Sequence, residues 1–422
     1  MLLLIFKTTL SFTAVFLLGF LISRLFLVAN HFLESLGLSF LLGSFFYTLI
    51  LFVGNFIFDI PLTFFNSSVL LLFFLMFVYL FLELFSIKPF LFKLKIIFSK
   101  KNIPQIIAIF LFFLLFFVSF FYPVIDWDAV TLFDFRARIM LDTGFIKDTL
   151  FRIGLKQYPP FTSLLHYWFY SLGFKTAMPL YVLFWGSFGL TSYALLRRFL
   201  SPLISLIFAL GVLLAPQIFE HSQIAYANLP YSIYLILGVF YLYFYLQRNK
   251  KHDLFLGLLL SLASLWSRNF PFVFVNLAVF IFVYLFSKKE KLLQILTIFL
   301  PLTLFAFIYL SRFLLSFTTG PAHLLFSVFD YTKWSILEYY QPFTLICLLL
   351  IFDHFKNKNS NPFYPLLIFG YLLTFVLGTS YLAVSGKVWQ DIPDAARRMM
   401  LFFSPTVIMY LATEFKTILK KS

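Results

Sequence analysis

Hydrophobic residues in this chain come in blocks rather than in alternation. Runs rich in Phe, Leu, Ile and Val, about 18 or more residues long, recur from end to end and are broken by a few polar positions. A half-buried strand would alternate apolar and polar residues, and a transmembrane β-barrel would show such alternation in ~10-residue segments. Leu and Phe dominate here without that alternation. The blocks predict membrane-spanning helices near 8–28, 38–58, 67–86, 105–124, 178–196, 202–219, 229–247, 254–268, 270–286, 293–315, 342–355, 363–384 and 399–415. The expected fold class is all-α, a polytopic transmembrane helical protein of about 13 spans.

The longest polar interruption is 125–177, and there the pattern changes. Val130, Phe133, Ala137, Met140 and Leu141 recur at helical spacing, while Asp134, Arg138 and Asp142 fall four apart on another face. Opposite charges so spaced support one another by a few tenths of a kcal/mol per pair. The segment reads as an amphipathic helix in the outer interface with its apolar face down. A second helix follows in "QYPPFTSLLHYWFYSLG" (157–173), where Pro159 and Pro160 suit the first positions. Its aromatic residues suit a membrane interface.

Composition sharpens the class. The chain is 62% hydrophobic and 12% charged, against about 25% charged in soluble domains. The net charge of +15 is concentrated in short breaks such as "KPFLFKLKIIFSKK" (88–101), "RR" (197–198), "RNKKH" (248–252), "KKEK" (288–291), "KNK" (356–358) and the C-terminal "KTILKK". That distribution is expected of cytoplasmic loops and excludes nucleic acid as the partner. Threading the spans from these loops places 125–177 outside, with 220–228, 267–271, 317–340 and 385–398 as further outer loops. The N-terminal run reads as a retained helix. Cys347, the single cysteine, excludes an internal disulfide and a Cys-built metal site. The expected organisation is an N-terminal helical region, 1–104, and a core, 105–422, that carries the outer loop.

Candidate chemistry concentrates in that loop. Five of the 17 acidic residues lie at Asp126, Asp128, Asp134, Asp142 and Asp148. Asp126 and Asp128 flank Trp127 just where a span leaves the membrane. Asp128 fits an N-cap role, and it equally fits a partly desolvated carboxylate that takes a proton from an attacking hydroxyl or holds a divalent cation. His166 has a structural reading beside a ligand or acid reading. Arg397 and Arg398 read either as headgroup anchors or as phosphate ligands. No Gly-rich phosphate loop, HExxH pattern or serine-nucleophile motif occurs.

The acidic motif outside a span, the "ARIM" helix, the "YPP" turn and the aromatic helix ending in "LG" together resemble the GT-C membrane glycosyltransferases. The nearest branch contains the protein O-mannosyltransferases and the lipid A aminoarabinose transferases. The resemblance covers 122–173. It extends more weakly to "YANLPYSIYLILGVF" (226–240), with Asn228 where an aspartate is more typical, and to "PDAARRMMLFFSP" (393–405). The chain differs in having three spans ahead of the acidic loop, and in carrying Arg268 and Asn269 in "WSRNFPF". The resemblance implies a polyprenyl-phosphate-linked sugar donor and a lipid, glycan or protein acceptor. It implies Asp128 with Asp126 as general base, and inversion at the anomeric carbon. Arg397, Arg398, Arg136 and Arg268 would face the donor phosphate, with Tyr158 and His166 in the substrate site. The resemblance makes no cofactor certain and leaves a divalent cation open. The site would face outward across a bacterial-type cytoplasmic membrane, among membrane lipids. Two alternatives stand beside it: a transporter or flippase for lipid-linked glycans, which would hold its ligand near the midplane on broken helices, and a non-catalytic relative.

Overall fold

The computed structural model describes residues 2–26, 32–84, 103–151, 158–268, 272–286, 362–384 and 391–421. Among them all regular structure is helical. In chain order the helices are α1 (Leu2–Phe26), α2 (Phe32–Phe52), α3 (Phe64–Leu84), α4 (Ile103–Ser119), α5 (Phe135–Thr143), α6 (Phe161–Ser171) and α7 (Met178–Leu196). Then come α8 (Pro202–Leu213), α9 (Pro216–His221), α10 (Asn228–Arg248), α11 (Lys251–Ser267), α12 (Phe272–Phe286), α13 (Phe363–Val384) and α14 (Asp391–Lys421). Five are long and apolar enough to cross a membrane: most of α1, α2 with its extension to Ile57, and all of α3, α7 and α10. That is compatible with a membrane protein. The spans read near 293–315 and 342–355 lie outside the described residues, as does the 88–101 basic loop.

One expected span is broken. The run 202–219 divides into α8 and α9 at Leu214–Ala215, because Ala215 precedes Pro216 and takes an extended ψ of 125°. A proline ring disfavours helical geometry in the residue before it. With 12 residues, α8 extends about 18 Å, short of a ~30 Å hydrocarbon layer.

The chain forms two compact units: residues Met1–Tyr241 with Lys250–Asn269, and Leu242–Asn249 with Phe270–Ser422. The boundary read at 104 falls inside the first unit. There α1 and α2 cross at glycine: a Cβ on Gly19 would overlap Ser39 and Gly43, and one on Gly43 would overlap the Val15 carbonyl. Gly37 brings α2 equally close to Ser187 and Thr191 of α7. Apolar helices in lipid gain little from hydrophobicity alone, so small residues that let backbones approach supply the packing. Gly43→Leu must force the α1 and α2 backbones away from each other and should cost at least the ~1–3 kcal/mol of ordinary overpacking. Thermal unfolding in detergent is expected to show a midpoint lowered by roughly 10 °C or a protein that fails to accumulate; an unchanged midpoint would rule out this crossing.

Each end of the first unit is held by polar contacts. At one end, Arg198 forks onto Glu34 (Nη2–Oε1 2.5 Å, Nε–Oε2 3.1 Å) and reaches Asp253 (Nη1–Oδ1 2.8 Å). The Tyr241 hydroxyl donates to Glu34 at 2.6 Å. Glu34 and Asp253 lie in the first turns of α2 and α11, where the helix dipole favours anions. Burial lowers the Arg198 pKa, but Glu34, Tyr241 and Asp253 outweigh it and the net shift is upward.

At the other end of α2, a π turn (Val53–Ile57) carries Asn55. Its Nδ2 donates to the Ile60 and Gly144 carbonyls, and its Oδ1 accepts from the Ile146 amide, all at 2.8 Å. Lys147 pairs with Asp59 at 2.5 Å. Gly144 ends α5 with φ of 81°, a left-handed geometry that glycine adopts without strain. Threading the spans from the basic loops puts 29–37, 197–201 and 248–253 on one side and 59–63 with 125–177 on the other. The polar contacts join these same groups.

In the second unit α12, α13 and α14 pack through rings. Phe272, Tyr371 and Phe402 meet with centroids 4.5–5.6 Å apart, Tyr364 stacks on Tyr410 at 5.6 Å, and Tyr371 donates to Asn276 Oδ1 at 2.6 Å.

Candidate functional site

The 125–177 loop does not begin as a regular helix. Residues Ala129–Asp134 form a π turn that runs directly into α5. A π turn carries a residue more per turn than an α-helix, so the face read from a regular period is rotated. Phe133, Ala137 and Met140 are buried as the pattern predicts, whereas Val130 and Leu141 are about 40% exposed. Asp134 and Arg136 turn inward instead. The expected polar face of Asp134, Arg138 and Asp142 therefore divides: Asp134 is buried, and Asp142 faces outward.

Asp134 accepts from the Tyr170 hydroxyl and from Arg138 Nε at 2.7 Å. The Arg138 guanidinium also lies over the Tyr170 ring at 4.8 Å. Burial pushes the Asp134 pKa up, but the Tyr170 hydroxyl, Arg138 and the His166 ring 3.8 Å away prevail and bring it down to about 2. His166 is fully enclosed, with Nε2 2.8 Å from the Tyr181 hydroxyl of α7. All of α6 from Phe161 to Tyr170 is buried, with Trp168 donating to Ser11 at 2.7 Å and packing on Phe12 and Tyr47. The aromatic helix expected at a lipid interface is therefore enclosed by protein. Its covers include α1 and α2, two of the helices that precede the acidic loop.

Asp126 and Asp128 lie at the entry to the π turn, both half-buried, with Trp127 between them 79% exposed. Asp128 occupies the N-cap position but makes no side-chain capping bond, so the capping reading does not hold. Partial burial raises the Asp126 pKa; its own backbone amide opposes this, and neighbouring Glu220 adds to the rise. Glu220, on α9, was not singled out in the sequence; its position in the 220–228 outer loop was the available signal. Ile125, Tyr122 and Phe121 also face outward, 56–75% exposed, and form an apolar surface beside the acids.

Three of the sequence candidates come together at Tyr158. Arg136 is 4% exposed and donates from Nε to Thr149 Oγ1 at 3.1 Å and from Nη1 to the Tyr158 carbonyl at 2.9 Å. No carboxylate among the described residues pairs with it, and burial lowers its pKa to about 10, still charged at neutral pH. Arg268, at the end of α11, lies over the Tyr158 ring at 5.8 Å. Phe133 meets that ring edge-on at 5.5 Å. Arg397 and Arg398 belong to α14 in the second unit, Arg397 exposed and Arg398 half-buried.

A buried cation normally has an anionic partner. Among the described residues this one meets neutral oxygens, in the same loop as a pair of half-buried acids. Such a group can bind an anion and accept a proton nearby. No group of three His, Cys, Asp or Glu among the described residues is placed to hold a metal ion. Compared with protein-family models, curated proteins and solved structures, the chain finds no match.

Proposed function

We propose that this chain is a multi-pass membrane glycosyltransferase of GT-C type that takes a sugar from a polyprenyl-phosphate donor at the outer membrane face. The observation that carries the reading is Arg136, a buried guanidinium held by the neutral oxygens of Thr149 and Tyr158, in the loop that bears Asp126 and Asp128. In this reaction the acceptor hydroxyl attacks the anomeric carbon as Asp128 takes its proton. The bond from that carbon to the phosphate oxygen breaks, and the electron pair leaves with the polyprenyl phosphate. Arg136 and Arg268 offset the charge that grows on the departing oxygen. The apolar surface of Phe121, Tyr122, Ile125 and Trp127 provides a lipid-facing approach for an isoprenoid chain. Inversion follows from a single displacement. Asp126, raised by burial, assists Asp128 or accepts the proton from it.

The test is transfer of label from a radiolabelled polyprenyl-phosphate sugar into acceptor material by membranes containing the protein. Absence of transfer from every donor tried would turn the reading toward transport, where label crosses the bilayer unchanged. For the phosphate, Arg136→Gln and Arg397→Ala are compared by donor binding. Arg136→Gln is expected to weaken it about tenfold or more, in keeping with ~1.5–3 kcal/mol for a charged hydrogen bond. Arg397→Ala is expected to weaken it less, and the reverse order would move the phosphate to α14.

A further inference from the structure

A fully enclosed imidazole of the loop is not used in that mechanism. His166 has no exposed surface, and its Nδ1 is buried without a hydrogen-bond partner among the described residues. That nitrogen faces Asp134 Oδ1 at 3.8 Å, beyond hydrogen-bond distance. The other ring nitrogen is engaged with Tyr181 at 2.8 Å. The ring thus stands between two elements: the π turn that leads from Asp128 and ends at Asp134, and α7. We propose that His166 is a protonation site that governs how firmly the acidic loop is seated, with the neutral ring holding it closed and the charged ring releasing it.

The groups that face the ring decide the sign. From the π turn and α5 come Asp134, which favours the charged ring, and Arg138, which disfavours it. On α6 itself Tyr170 lies edge-on at 6.3 Å, and from α7 comes Tyr181. Tyr47 of α2 rests on Trp168 rather than on this ring. Neutral His166 satisfies this surround best with its proton on Nδ1 towards the carboxylate and the Tyr181 hydroxyl donating to Nε2. A second proton must enter at Nε2, and Tyr181 must then turn its lone pair to the ring. Burial dominates over Asp134, so the His166 pKa lies below its ordinary value. A histidine held neutral by the fold stabilises fully above its unfolded pKa of about 6.5, and that stability is lost as pH falls below it towards the lower folded value. Acid should therefore loosen the 126–143 segment while the first unit stays folded. The inference concerns the seating of the loop and stands apart from which reaction the loop serves.

Hydrogen exchange on the purified full chain tests it, between about pH 7.5 and about pH 5, which bracket the imidazole range. After correction for intrinsic rates, peptides covering 126–143 are expected to exchange severalfold faster at the lower pH, while peptides from α1 and α2 keep their protection. His166→Gln, neutral at both values, should abolish the difference. Equal protection of wild type at both pH values would overturn the proposal, as would a His166→Gln protein that kept the acid response. If that variant does not fold, Tyr181→Phe serves: it keeps the ring and removes its Nε2 partner, so the response should move to lower pH. A response unmoved in Tyr181→Phe would assign the titration to another group and sink the idea.

Discussion

Arg198→Met is expected to lower the stability of the first unit by roughly 3–5 kcal/mol, enough to leave much of the protein unfolded or degraded. The reason lies in what remains rather than in what is lost. Glu34 and Asp253 are fully buried, and Arg198 is the cation that meets both. Without it two carboxylates stay out of water, 164 and 55 residues distant in sequence from the position that neutralised them. Methionine fills much of the same volume, so a cavity would contribute little. The triple variant Glu34→Gln, Arg198→Met, Asp253→Asn removes the charges together and should recover most of the loss, since replacing a whole buried network is often nearly neutral. Thermal unfolding in detergent measures both. A single variant as stable as wild type would show that the cluster is solvated.

Asp128→Asn is expected to reduce sugar transfer by a factor of about 10²–10⁴, the range that a positioned general base supplies. Asparagine keeps the shape and cannot take a proton. Asp128 is only half-buried and asparagine matches its size, so the replacement should leave the stability within about 0.5 kcal/mol of wild type. Initial rates with labelled donor, beside a melting curve of the same preparation, check both halves. Undiminished transfer would remove Asp128 from the base role; a collapsed melting curve would make it a structural acid instead.

Much of the helical layout is legible in hydropathy. The run read at 178–196 coincides with α7, that at 363–384 with α13, and those at 229–247 and 254–268 lie within a few residues of α10 and α11. Long apolar blocks with basic breaks leave little choice of element. Hydropathy fails where two environments are equally apolar. It cannot distinguish the exposed side of α3 from the stripe of Ser67, Leu71, Leu75, Val78 and Leu82 that is buried, nor tell that α6 would be enclosed. The break at Pro216 was written in the sequence, though the apolar count on either side concealed it.

The loop shows the same division. Its acids, its arginines and Tyr158 stand out by type, and three of them do meet: Arg136, Tyr158 and Arg268. Asp134 was read as a surface charge because a regular period was assumed through 129–141. A π turn leaves no compositional mark, so the rotation it introduces was not available from residue types. Asn55 is inconspicuous for a related reason. It is one polar residue at the end of an apolar run, and only the approach of Gly144 and Ile146 gives it meaning.

The surplus residue within Ala129–Asp134 has an engineering consequence. Deleting any one position there would let the backbone close into an unbroken α-helix, locally no less comfortable than before. Five α-helical residues turn through nearly the same angle as the six of the wider turn, so everything upstream would keep its bearing on Arg136. A loop shortened in this way would keep its two carboxylates aimed as before, whereas one further residue added in α-helical geometry would turn them by about 100°.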